Sequence, residues 1–135
     1  MQGAWQRFGW LLAIAAIACP GCGGRTPDEK RDDRTMLLEI HMGWEFFHVA
    51  KKKDPANLEE LAEGIRNGGS ADPQKVVGRI GSGAYVVNFG ATTSQGPDTV
   101  LAYEAGAASS GGYVLTADGT ISEMSASSLK SKLGK

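Results

Sequence analysis

The stretch Val100–Met124 constrains the fold of this chain more than any other. Two short apolar runs flank the pair Asp118-Gly119. Asp-Gly tolerates the positive φ angles of a type I′ turn, whose twist matches that of two antiparallel strands. A third apolar run, 99–103, precedes the hairpin across a loop rich in glycine, alanine and serine. The pattern predicts a three-stranded antiparallel meander, one face of which is covered by the rest of the chain.

The N-terminal residues indicate an export signal and lie outside the predicted fold. Arg7 is the only charged side chain among residues 1–18, and an unbroken apolar run fills 10–18. This run is too short to span a bilayer but matches the apolar core of a signal peptide. Small residues and then Cys19 close it. This ending resembles the lipobox of bacterial lipoproteins, in which the cysteine carries the lipid and becomes the first residue after cleavage.

The lipobox resemblance implies that Cys19 is lipidated, with Cys22 as the alternative. It also implies attachment to a bacterial membrane, with the protein facing the periplasm or the exterior. The two cysteines have Cys-x-x-Cys spacing as well, but redox motifs of that kind act at a helix N-terminus in a βαβ context. Here an apolar signal core precedes the pair and a polar stretch follows it. With two cysteines in all, neither a disulfide framework nor a cysteine-based zinc site is available.

The sequence divides into three segments. Residues 1–18 are the predicted signal peptide, 19–34 the lipidated cysteine and a flexible tether, and 35–135 a single globular domain. The tether prediction rests on the high charge and low apolar content of 23–34. The formal net charge of −1 provides no bulk attraction to nucleic acid or to acidic lipid, so no nucleic acid is expected as a partner.

Apolar residues at helical spacing predict a long first helix from about Thr35 to Lys52. One apolar face is centred on Trp44, which we expect to lie in the core. Because only a narrow polar stripe separates the apolar faces, most of this helix is expected to be buried, against the sheet on one side and against loops or a second helix on the other. The second apolar face comprises Leu38, Met42, Phe46 and Val49.

The polar stripe of the first helix contains the only candidate metal ligands. His41, Glu45 and His48 lie in line at positions i, i+4 and i+7. Solvation of the polar edge of a buried helix explains the same pattern, and no acidic or cysteine ligand nearby in the sequence completes a site. We therefore predict no metal and no other cofactor.

The remaining segments complete an α+β prediction. A second helix starts at Asp54-Pro55 or at Asn57 and ends at Asn67. A connector over 70–83 contains a short helical piece, and 84–90 forms a strand. Ser125 caps a last helix whose inner side carries Leu129 and Leu133. The predicted fold is a long N-terminal helix and a short helix packed on a small antiparallel meander, with a short C-terminal helix.

Four stretches carry a resemblance to a known family: Pro55–Leu61, Ala84–Gly90, Val100–Glu104, and Gly111–Gly119 followed by Met124 and Leu129. Together with the order of elements, they resemble the globular head of type II secretion pseudopilins and of pseudopilin-like families with a His-(nine residues)-Asp-Gly signature. The resemblance implies the fold of a pseudopilin head. It also implies a role as an accessory subunit or chaperone of a type II secretion or pilus-like machine. Ala108 stands where the signature has histidine, and no prepilin cleavage site precedes a long apolar helix. Some heads bind calcium, but no ligand is carried over to this chain.

Few residues are available for catalysis. An enzyme needs a nucleophile and a base within hydrogen-bond reach. Both histidines lie on one predicted helix, and the sequence has no Gly-x-Ser-x-Gly motif. Glu104 and Asp118 are the candidate carboxylate pair. We therefore predict a non-enzymatic envelope lipoprotein whose head contacts another envelope protein or an envelope polymer. A small envelope hydrolase is the alternative.

Overall fold

The computed structural model describes residues 25–134. These residues form five α-helices and a four-stranded antiparallel sheet with strand order β1-β2-β3-β4. The α+β arrangement with a long N-terminal helix is therefore confirmed. The helices are α1 (Pro27–Lys51), α2 (Leu58–Asn67), α3 (Pro73–Gly81), α4 (Ala107–Ser110) and α5 (Ala126–Leu133). The strands are β1 (Tyr85–Val87), β2 (Val100–Glu104), β3 (Gly112–Thr116) and β4 (Ile121–Met124).

The sheet separates two apolar clusters. Helices α1, α2 and α3 share the larger cluster with Leu115 and other inward residues of the sheet. On the opposite face, Leu129 of α5 packs with Val100 and Val114 in a smaller cluster. Because side chains alternate between the two faces of a strand, neighbouring residues of β3 enter different clusters. The sheet is thus covered by helices on both faces.

Helix α1 begins eight residues before the predicted start, so the prediction of a flexible tether was wrong for Pro27–Arg34. Thr26 caps the helix: its hydroxyl accepts from the Glu29 N–H at 3.3 Å, while the Glu29 carboxylate accepts from the Thr26 N–H at 2.8 Å. Pro27 suits the first helical position because its fixed φ is helical and it has no N–H to lose. These first turns pack on the sheet, where Asp33 accepts a 2.6 Å hydrogen bond from the Tyr85 hydroxyl.

The prediction that both apolar faces of α1 are buried was wrong for the second face. Trp44 lies in the core with no exposed surface, as predicted. The sheet and α2 both pack against that same half of α1. The approach of α2 is close, because a Cβ on Gly64 would lie 2.9 Å from the Cβ of Phe47. The other half is covered only in part by residues 25–134, and its large apolar side chains are 42–61% exposed: Leu38, Met42, Phe46 and Val49.

Three further segments differ from the sequence predictions. The connector is a full helix, α3, whose Asp72 side chain accepts from the Lys75 N–H at 3.1 Å. The strand predicted over 84–90 is only three residues long, because a turn begins at Asn88, whose carbonyl accepts from the Ala91 N–H at 3.0 Å. Ser125 caps α5 as predicted. Leu129 is buried, but Leu133, the last residue of the helix, is 37% exposed.

The β3–β4 hairpin forms as predicted, but its turn is of another type. The Thr116 carbonyl accepts from the Gly119 N–H at 2.9 Å, and the Thr120 carbonyl accepts from the Thr116 N–H at 3.0 Å. Gly119 has a φ of 82°, whereas Asp118 does not have positive φ. A type I′ turn requires positive φ at both central residues. The hairpin instead has a three-residue loop with glycine in the left-handed position.

Candidate functional site

The exposed apolar side chains of α1 form one continuous surface, here called the α1 stripe and defined as Leu38, Met42, Phe46 and Val49. Their exposed fractions are 47%, 42%, 43% and 61%. Spacings of four and three residues place them on one side of the helix over about 16 Å. A strip of contiguous large apolar side chains in water is typical of a docking surface.

The N-terminal end of the α1 stripe opens into a groove between α1 and the hairpin. The groove has a volume of about 520 Å³ and is lined by Leu38 together with Arg31, Arg34, Tyr113 and Ile121. The Arg34 guanidinium lies 6.0 Å from the centroid of the Tyr113 ring. This end of the stripe therefore combines apolar surface with exposed cationic groups.

A hydrogen-bonded cluster at the other end of α1 is centred on Asp54. Its carboxylate accepts from the Trp44 indole at 3.0 Å and from the Thr93 N–H at 3.1 Å, and His48 Nδ1 lies 2.8 Å away. Burial alone would raise the pKa of Asp54, but the hydrogen bonds from Thr93, Trp44 and His48 hold it below its ordinary value. The cluster ties α1 to the loops that follow α1 and β1.

The structure separates the three candidate metal ligands of α1. His41 lies 3.8 Å from Glu45, whereas His48 is turned towards Asp54. Among residues 25–134, no group of three histidine, cysteine or acidic side chains is arranged to hold a metal ion. The predicted in-line arrangement therefore does not produce a common site.

A second polar cluster joins the start of the described chain to the end of β2. Glu104 is buried, accepts from the Tyr113 N–H at 2.6 Å, and lies 2.5 Å from an Arg25 guanidinium nitrogen. Burial raises the pKa of Glu104; the bonds from Arg25 and Tyr113 oppose this rise, and neighbouring Asp33 adds to it. Both carboxylates are engaged, since Asp33 also accepts from Tyr85. The cluster holds the chain that leads into α1 against the sheet.

Glu104 and Asp118 do not form the candidate carboxylate pair. Glu104 ends β2 beside Tyr113, whereas Asp118 lies in the loop at the opposite end of β3. The Asp118 carboxylate accepts from the Thr116 hydroxyl at 2.6 Å, from the Thr120 N–H at 3.0 Å and from the Thr120 hydroxyl at 2.9 Å. These bonds lower the pKa of Asp118. Asp118 therefore stabilises the turn.

Sequence reasoning missed the partners of Asp54, Glu104 and Arg25. Asp54 was expected only as a helix cap, and Arg25 as part of a tether. The Arg25–Glu104 pair joins residues 79 positions apart, so no local pattern reveals it. One signal was present: Thr26 and Glu29 have the spacing of a capping box, which predicts a helix start there.

The proposed lipidation residues, Cys19 and Cys22, lie outside the described residues. Within residues 25–134, no helix has the length and apolar content needed to cross a bilayer. In comparisons with known proteins, no family model, curated protein or solved structure matches this chain.

Proposed function

We propose that this protein is a lipid-anchored component of a bacterial cell envelope whose α+β head works by docking to another envelope component and not by catalysis. The anchor is the proposed lipid on Cys19. The head is expected to keep the arrangement that resembles a pseudopilin head. Membership of a secretion or pilus-like machine, as accessory subunit or chaperone, is the alternative that this resemblance favours.

The α1 stripe is the observation that carries this proposal. Its four side chains are 42–61% exposed, while the other half of the same helix is buried. Exposing large apolar side chains to water is unfavourable by roughly 25 cal/mol per Å². A surface of this kind supports a head whose task is to bind.

A small envelope hydrolase is the second candidate, and the His48–Asp54 pair favours it. A carboxylate 2.8 Å from His48 Nδ1 would orient the imidazole and leave Nε2 for a nucleophile. Among residues 25–134, no serine, threonine or cysteine side chain hydrogen-bonds to His48. Trp44 and Thr93 also donate to Asp54, which is what a structural clamp requires. The docking proposal accounts for these contacts and requires no nucleophile.

Membrane fractionation of two cysteine variants tests the anchor. We expect Cys19→Ser to leave the membrane fraction, because it removes the sulfur that carries the lipid, while Cys22→Ser stays. Mass spectrometry of the purified wild type should find the lipid on residue 19. Retention of Cys19→Ser with release of Cys22→Ser would move the anchor to Cys22. If both variants, and the double variant, stay at the membrane unlipidated, the anchor proposal fails.

A further inference from the structure

The charges at the two ends of the α1 stripe restrict what can cover it. Arg31 and Arg34 precede Leu38 by two turns and one turn on the same side of the helix, and Lys52 follows Val49. Arg31 pairs with Asp28 at 2.9 Å. Arg34 and Lys52 enter no ion pair within residues 25–134. Each end of the stripe thus presents one cation without an ion-pair partner in this part of the chain, while Glu45, 46% exposed, lies in line between Leu38 and Val49.

A second copy of this chain is a poor occupant for such a surface. If two α1 helices packed in parallel, each cationic end would face its own equivalent. If they packed antiparallel, Arg34 of one copy would approach Lys52 of the other. Like charges brought together are unfavourable in both cases. The ends of the stripe favour an occupant that is apolar in the middle and anionic at its surface.

A bilayer containing anionic lipid has this chemistry. Interfacial helices bury large apolar residues to a depth of about 5–10 Å, while their lysine and arginine side chains meet the headgroups. Each cation near an anionic surface contributes about 1 kcal/mol. Glu45, in line with Leu38 and Val49 and 3.8 Å from His41, would also lie at headgroup depth, where its carboxylate offsets one of the flanking cations.

The chain before α1 keeps the stripe close to the bilayer. Residues 20–24 are the only ones between the proposed lipidated Cys19 and Arg25, and that stretch reaches at most about 20 Å. Arg25 is itself held to Glu104 at 2.5 Å. Because this reach is shorter than α1, which is about 37 Å long, the N-terminal end of α1 stays within roughly 20 Å of the membrane surface. Tethering at this distance raises the effective concentration to about the millimolar range, so weak intrinsic affinity is enough.

We propose that the α1 stripe lies against the anionic surface of the membrane that holds the anchor, with α1 parallel to the bilayer plane. This inference rests on the proposed lipid anchor. It identifies the envelope component to which the head docks as the bilayer itself.

Tryptophan quenching by brominated lipid tests this arrangement. The mature lipidated chain is placed in vesicles of phosphatidylethanolamine and phosphatidylglycerol with brominated acyl chains. Phe46→Trp reports on the stripe; Val86→Trp, at an apolar residue of β1 with 37% exposure, is the matched control. Trp44, which is fully buried, contributes the same background to both. We expect at least about twofold more quenching of the added tryptophan in Phe46→Trp, since bromine reaches only residues near the acyl chains.

Three outcomes would overturn the inference. Equal quenching of the two variants would place the stripe away from lipid, and the anchor would stand if mass spectrometry still finds lipid on Cys19. Absence of lipid from both cysteines would remove the anchor and the inference together. Concentration-dependent dimers of lipid-free protein in sedimentation, lost in Phe46→Ser but kept in Val86→Ser, would assign the stripe to a second copy.

Discussion

The two halves of α1 are similarly apolar but differ in what covers them. The half that contains Trp44 packs against the sheet and α2 and leaves that ring with no exposed surface. The half that contains Phe46 leaves that ring 43% exposed. Periodicity in a sequence shows that a helix face is suited to burial, but it does not show whether the same chain buries it. The uncovered half is therefore informative about function, and the covered half about stability.

The largest expected effect separates these halves directly. Trp44→Ala should lower the free energy of unfolding by about 3–5 kcal/mol, because it removes a buried aromatic side chain and leaves a cavity. It also removes the indole donor to Asp54. Phe46→Ala should change the free energy by no more than about 0.5 kcal/mol, as is usual for exposed positions. Urea denaturation followed by circular dichroism measures both values, and equal losses would contradict the assignment of the two halves.

Local sequence signals were enough for the elements that depend on neighbouring residues. The hairpin, the Ser125 cap of α5 and the burial of Trp44 follow from turn chemistry, capping and periodicity, and each is confirmed. The start of α1 was missed although its capping box was present, because the charged composition around it suggested a tether. A helix normally carries charged residues on its exposed side, so a charged composition does not exclude helix formation.

The clusters around Asp54 and Glu104 could not be predicted, because they depend on tertiary contacts. Thr93 lies 39 residues after Asp54, and Arg25 lies 79 residues before Glu104. The exposure of the α1 stripe is also a tertiary property. It follows from α2 and the sheet packing against the same half of α1, which no pattern within α1 specifies.

The next largest effect concerns the hairpin loop. Its Gly119 lies against His41, at the boundary between the covered half of α1 and the α1 stripe. Gly119 has a φ of 82°, and a Cβ there would lie 2.8 Å from His41 Cε1. Gly69 has a φ of 88° with no atom within 4 Å of such a Cβ. Valine at either position is strained by its backbone, but only at Gly119 does it also displace a neighbour. We expect Gly119→Val to cost about 0.5–1.5 kcal/mol more than Gly69→Val, because His41 is a partly exposed side chain that can shift its rotamer.

Thermal unfolding of both glycine variants at one pH measures this difference. A larger loss for Gly69→Val would mean that the hairpin loop does not rest on His41, and the boundary between the two halves of α1 would have to be redrawn. Gly119→Ala, which adds only the Cβ, should lie between wild type and Gly119→Val.

The smallest expected effect concerns Asp54, which ties the covered half of α1 to the loop before β2. Burial alone would raise the pKa of Asp54, but bonds from Thr93, Trp44 and His48 hold the pKa below its ordinary value. Since the pKa is lower in the folded state than in the unfolded chain, this carboxylate stabilises the fold above about pH 4, and its contribution is lost as pH falls through the folded value.

Asp54→Asn removes the charge but keeps one carbonyl acceptor for the Trp44 indole. We expect it to lower the free energy of unfolding by on the order of 1 kcal/mol near neutral pH, because a neutral acceptor keeps part of what a hydrogen bond to a charged group contributes, about 1.5–3 kcal/mol. The gap from wild type should shrink as pH falls below about 4, because the wild-type carboxylate is then protonated as well. Asp98→Asn, at a side chain 90% exposed, should follow wild type at every pH. Urea denaturation across this pH range measures the gap. A gap that stays constant would mean that Asp54 acts through its shape and not its charge, so that the covered half of α1 is held by packing alone.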